Sequence, residues 1–240
     1  MKVEVSDVRV QFGGVMPLDG VTVTFPGGTC GLIGPNGAGK TTFFNVLSGY
    51  VTPVSGSVLC DGVELLSMPD YKRARWGVRR TFQTEQAIEG LTVFDNVLTV
   101  YEHTAKASRA KKKAVVEEAL EFCGLSAVGQ QLVRTLPAKE RRFIEVARAV
   151  VGEPKMVLLD EPAAGLPEEE TNELSAIIRA IPERSDATVI LVDHDMALVQ
   201  ACCEWSAVLD FGRLLASGPT GDVLRDPKVL SAYLGEDELL

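Results

Sequence analysis

The nine residues Gly34-Pro35-Asn36-Gly37-Ala38-Gly39-Lys40-Thr41-Thr42 constrain this chain more than any other stretch. They satisfy the pattern G-x-x-x-x-G-K-[ST] at every specified position, and the flanks are those the pattern requires. Thr29-Cys30-Gly31-Leu32-Ile33 reads as a short buried strand, and Thr42 to Leu47 carry apolar side chains with no helix breaker before Gly49. Strand, glycine loop and helix in that order build a cradle for a phosphate chain. The glycines let successive N–H groups turn inward as a nest for anionic oxygens, and the helix start adds partial positive charge. Lys40 brings a full charge to the β and γ phosphates. The Thr41 hydroxyl can ligate Mg²⁺, and Thr42 can bond an α-phosphate oxygen.

A second run completes such a site. Met156-Val157-Leu158-Leu159-Asp160-Glu161 reads as a buried strand ending in two carboxylates. Adjacent buried carboxylates are costly unless a metal or ligand compensates them. Asp160 is placed to hold the hydration shell of Mg²⁺, and Glu161 to polarise an attacking water. The strand 188–193 is followed by His194. In a parallel sheet it ends on the phosphate edge, so His194 fits a γ-phosphate contact, although taken alone it reads as a surface histidine. Phe12 fits either a ring stacked on an adenine or a core phenylalanine.

Around these runs the chain alternates strands and helices. Residues 2–10 and 21–25 read as strands of a small antiparallel sheet laid against the core, and 52–62 as turn, strand, turn. A short helix is expected at 68–76, a strand at 77–83, helical structure from 91 to a stop at Gly124, and helices at 140–151 and 168–181. This pattern predicts an α/β fold with a largely parallel sheet. The run Lys111-Lys112-Lys113 reads as a solvated helix face. Five cysteines without CxxC spacing read as reduced cytosolic thiols packed in the core, and Cys202-Cys203 as helix packing. A net charge of −9 argues against nucleic acid as the main partner. No run approaches the roughly 18 apolar residues of a membrane span, and no signal-peptide block opens the chain. The expected location is cytoplasmic, with any membrane part supplied by another chain.

Taken together, the residues resemble the ATPase subunit of an ATP-binding-cassette transporter over essentially the whole chain. The resemblance implies a P-loop NTPase fold with an N-terminal antiparallel β subdomain and an inserted helical subdomain. Residues 1–240 would form one nucleotide-binding domain, with 1–90 and 150–240 as core and about 91–150 as the helical subdomain. It also implies ATP and Mg²⁺ as cofactors. Phe12 matches the adenine-stacking aromatic and Gly34 to Thr42 the phosphate loop. Gln83 matches the glutamine that touches Mg²⁺ and reports to membrane subunits. Asp160 matches the metal aspartate, Glu161 the catalytic base and His194 the switch histidine. Residues 91–135 correspond to the part that docks on a permease, so the chain would sit peripherally on the inner face of the cell membrane. The expected partners are permease subunits, a second ATPase subunit and an extracytoplasmic solute-binding protein.

Finer wording resembles the importers of branched-chain amino acids and related solutes: Phe12-Gly13-Gly14-Val15, Arg80-Thr81-Phe82-Gln83, Glu161-Pro162-Ala163-Ala164-Gly165-Leu166, His194-Asp195-Met196 and the tail from Gly218-Pro219 to Ala232-Tyr233-Leu234-Gly235. Urea and lipopolysaccharide-transport ATPases share much of it. One stretch departs. Where the family has LSGGQ, this chain has Leu136-Pro137-Ala138-Lys139-Glu140. Pro137 offers neither hydroxyl nor N–H to a γ-phosphate, and Lys139 replaces a glycine with a bulky, less free residue. The D-loop aspartate is likewise absent from Ala163-Ala164-Gly165-Leu166-Pro167. A heterodimer with one degenerate ATP site is therefore the favoured assembly, with a homodimer as the alternative. Two other readings stand beside the transporter: a soluble cassette protein of translation or DNA repair, and a non-hydrolysing regulatory cassette.

Overall fold

The computed structural model describes residues 1–105 and 108–234. Two sheets carry the fold. The first is antiparallel, in the order β2-β1-β4-β5, from β1 (Val3–Phe12), β2 (Val15–Phe25), β4 (Ser55–Cys60) and the short β5 (Val63–Glu64). The second has the order β10-β9-β3-β8-β7-β6, from β3 (Thr29–Ile33), β6 (Val78–Arg80), β7 (Met156–Asp160), β8 (Thr188–Val192), β9 (Trp205–Asp210) and β10 (Arg213–Pro219). Within it β6, β7, β8, β3 and β9 run parallel, and β10 returns antiparallel to β9.

All five residues of β3, β7 and β8 are buried. Continuous apolar runs are what a sheet covered on both faces demands, and period-two alternation sends neighbours into different cores. Cys30, Leu32, Leu158, Ile190 and Val192 pack into a core shared with the antiparallel sheet and α1 (Lys40–Ser48). Ile33, Val157, Leu159, Val189 and Leu191 pack into a second core on the opposite face. That second core takes in α3 (Val93–Thr104), α4 (Arg109–Phe122), α5 (Ala138–Val150), α6 (Glu168–Ser185) and α7 (Met196–Cys202). The remaining helices are α2 (Asp70–Trp76), α8 (Thr220–Val223) and α9 (Pro227–Leu234).

Several expected bounds move. The strand expected at 77–83 runs only from Val78 to Arg80; Thr81 still donates its N–H to the Leu158 carbonyl, and its hydroxyl accepts from the Asp160 amide. Gln83 therefore stands in a loop. The strand 156–161 ends at Asp160, since Glu161 takes a left-handed backbone with φ +48°. The stretch 91–124 is two helices, α3 and α4, with separate caps at Thr92 and Ser108. Residues 106–107 of that stretch, and Gly235 of the tail, lie outside the described residues. The hairpin β9–β10 has no counterpart in the sequence reading. Its β9 is apolar enough to be read as a strand, but nothing local states that it joins the sheet beside β3.

Candidate active site

The phosphate loop leaves β3 and enters α1, and its shape is forced by close approach as much as by backbone angle. A Cβ on Gly34 would lie 2.0 Å from the Leu209 carbonyl oxygen, and one on Gly39 would lie 2.4 Å from that of Pro17. Both positions also have positive φ, +146° and +104°, so only glycine fits. Gly37, φ +78°, has open space where a Cβ would stand. The helix starts without a side-chain cap, which leaves its first-turn N–H groups for an anion.

Lys40 is buried and donates to the carbonyls of Gly34 (2.6 Å) and Pro35 (2.9 Å). Burial pulls its ammonium below the usual lysine range, and the charges of Glu161 and Asp160 pull it back up. A cleft of about 530 Å³ is lined by Pro17, Asn36 to Thr42, Gln83, Glu161, Val192 and His194. Four parallel strands deliver these groups to one edge: β3 brings the loop, β6 leads to Gln83, β7 to Asp160 and Glu161, and β8 to His194.

Glu161 is held at both oxygens. His194 Nε2 lies 2.9 Å from Oε1, and Gln83 Nε2 donates to Oε2 at 3.0 Å. The left-handed backbone of Glu161 costs on the order of 1 kcal/mol for a non-glycine residue. Its N–H is tied to the Val192 carbonyl at 2.8 Å, so the strand that carries His194 also fixes the carboxylate. Asp160 is nine-tenths buried and forms an ion pair with Arg80 at 2.9 Å through Oδ2. The same guanidinium donates to Asn45 Oδ1 (2.6 Å) and Ser48 Oγ (3.2 Å) of α1 and lies over the rings of Phe44 and Phe82.

The sequence-predicted residues thus converge, with one exception. Phe12 ends β1 with 55% of its surface exposed and does not line the cleft; the core alternative for it is overturned, because β1 ends in a hairpin at the molecular edge. Arg80 is the member that the sequence reading missed. Its only local signal was a basic residue at the end of a short strand, and its partner lies 80 residues away.

The donor set fits the groups expected there. Uncapped amides and Lys40 suit a phosphate chain. The Thr41 hydroxyl, the Gln83 amide oxygen and the Asp160 carboxylate are hard oxygen donors of the type Mg²⁺ takes. Among the described residues no cluster of three or more His, Cys, Asp or Glu could hold an ion alone.

Comparison with known proteins gives one consistent result. Residues 18–164 match the protein-family model described as ABC transporter. Residues 213–238 match that described as Branched-chain amino acid ATP-binding cassette transporter. The high-affinity branched-chain amino acid transport ATP-binding protein BraF of Pseudomonas aeruginosa is 36% identical over 97% of this chain and 97% of its own. LivG of Escherichia coli K12, with the same description, is 35% identical over 97% of both chains. Among solved structures, the ADP conformation of MJ1267, an ATP-binding cassette of an ABC transporter, superposes with a TM-score of 0.87 and 26% identity, covering 98% of this chain and 99% of its own.

Proposed function

The chain belongs to the ABC transporter family as an ATP-binding subunit, and from that premise we propose that it binds and hydrolyses Mg²⁺·ATP to power import of branched-chain or related amino acids. The observation that carries the hydrolytic reading is the Glu161 carboxylate held between Gln83 and His194 at the mouth of the phosphate cleft. With one partner on each oxygen, the carboxylate is held in a fixed orientation and keeps lone pairs free to accept from a water. The arrangement therefore suits a base that is oriented by Gln83 and His194 toward the cleft. Lys40 and the amides of the phosphate loop bind the phosphates, and Thr41, Gln83 and Asp160 would hold Mg²⁺. The chemistry a bound Mg²⁺ supplies is neutralisation of charge on the phosphate oxygens. Phe12 is proposed to stack on the adenine.

Transport needs a membrane partner, since no helix among the described residues is long and apolar enough to cross a membrane. The proposed division has 1–90 and 150–240 as core and about 91–150 as a helical subdomain. A groove of about 350 Å³ between α2 and α3 suits a permease segment, because exposed Tyr50 and Tyr71 line it and Tyr50 packs edge-on against Phe82, one residue before Gln83. The chain would thereby sit on the cytoplasmic face of the membrane. Two cassettes are proposed to close on ATP, this one lending its partner the weak Lys139 surface, so that a heterodimer works best.

The deciding experiment is turnover of Glu161→Gln in the assembled complex. Hydrolysis is expected to fall about 10²–10⁴-fold while nucleotide binding persists; Lys40→Ala is expected to lose binding itself. Unchanged turnover in Glu161→Gln would remove Glu161 as the base. Light scattering of Glu161→Gln with ATP tests the assembly, since a concentration-dependent homodimer would overturn the heterodimer.

A further inference from the structure

A second cleft, of about 530 Å³, opens between the start of β6, α3, α4 and the turn before β7. Its charge runs against that of the molecule. Arg75, Arg79, Lys111, Lys155 and Arg184 line it against two carboxylates, Glu118 and Glu153, in a chain of net charge −9. Glu118 is taken by Arg184 at 2.9 Å. Lys111 and Lys155 form no ion pair among the described residues, whereas their neighbours Lys112 and Lys113 pair with Glu102 and Glu117. Lys111 and Lys113 are exposed, as expected of a solvated helix face, and Lys111 also lines the cleft.

Arg79 is the informative member. It is 8% exposed, and its only hydrogen bonds among the described residues run from Nη1 to the carbonyls of Ala74 and Val78. Its Nε is buried without a partner, and Nη2 has none either. Burial, unopposed by any carboxylate, pulls the guanidinium down to about 10. A buried cation without a counter-charge is unfavourable. Gly77 sustains the arrangement, since a Cβ there would stand 2.9 Å from the Lys155 backbone nitrogen. The Lys155 amide donates to the Gly77 carbonyl at 2.9 Å, and Lys155 Nζ lies over the Trp76 ring, 4.8 Å from its centre.

We propose that this cleft binds a small soluble phosphate-bearing metabolite, its phosphate held by Arg79, Lys111 and Lys155 and its organic part against Trp76. Forked donors and ammonium groups converging from different elements are the usual means of holding phosphate, and a concave site of this size favours a small molecule over a flat lipid surface. Arg79 also lines the aromatic groove beside α2, so an occupant would bear on the face proposed for the permease.

The test uses the full chain with its phosphate loop filled by Mg²⁺ and the non-hydrolysable imido analogue of ATP, and titrates inorganic phosphate by calorimetry and tryptophan fluorescence. Saturable binding is expected in the presence of the analogue. The Lys111→Ala/Lys155→Ala variant is expected to weaken it at least about tenfold with analogue binding unchanged, and Arg79→Met more strongly. Arg79→Met risks misfolding, and the lysine pair is exposed enough to avoid it. Absence of a saturable signal, equal binding by the lysine variant, or binding only to phosphatidylglycerol vesicles would each overturn the proposal.

Discussion

The phosphate cleft and the start of α5 are held in very different ways. Around the cleft nearly every position is fixed twice, by its own chemistry and by a neighbour: Gly34 by Leu209, Gly39 by Pro17, Asp160 by Arg80, Glu161 by Gln83, His194 and Val192. The stretch Leu136 to Glu140 is braced more thinly. Pro137 stands at the N-terminus of α5 with no side-chain cap, and Lys139 in its first turn reaches Glu173 of α6 at 2.6 Å. The helix itself rests on buried Phe143, Ile144, Val146, Ala147 and Val150, so the departures at 137 and 139 cost the fold little. The lesson is that a helix seated by its buried face can vary in its first turn without losing its core contacts.

The sharpest way to break this contrast is Arg80→Met. It leaves Asp160 buried without its counter-ion, and loss of one member of a buried pair costs about 3–5 kcal/mol. Urea unfolding should show that loss; a change below about 1 kcal/mol would mean the bracing is not energetic.

A smaller effect tests whether the site's bracing carries a cost. Asp193, next to His194, is buried, with Oδ1 accepting from the Asp195 amide and Oδ2 unpartnered. Burial raises its carboxyl above the usual range. The folded state thus prefers the protonated form. Its favourable contribution is full below the ordinary carboxylate value and is lost as pH rises through the raised one. Asp193→Asn, neutral throughout, should therefore melt about 2–4 °C higher than the native chain near neutral pH. The gain should vanish below about pH 3.5. A gain independent of pH would place its cause in packing.

The smallest effect is expected at Lys139→Ala. Its side chain and that of Glu173 are 28% and 50% exposed, and such pairs contribute about 0–1 kcal/mol. Thermal unfolding should barely move. A loss as large as that of Arg80→Met would erase the contrast between the two regions.

Much of this site was legible in the chain because its signals are local. A phosphate loop, a buried strand ending in carboxylates and a strand followed by histidine each need only a few adjacent residues, and strand direction then brings their ends to one edge. The apolar runs of β3, β7 and β8 likewise announced a sheet covered on both faces. What tertiary structure alone decided is pairing at long separation. Arg80 against Asp160, Lys111 and Arg79 lining one cleft, and β9 set beside β3 depend on which distant elements meet. Local periodicity carries no information about that choice, because it is made by the packing of two cores against opposite faces of one sheet.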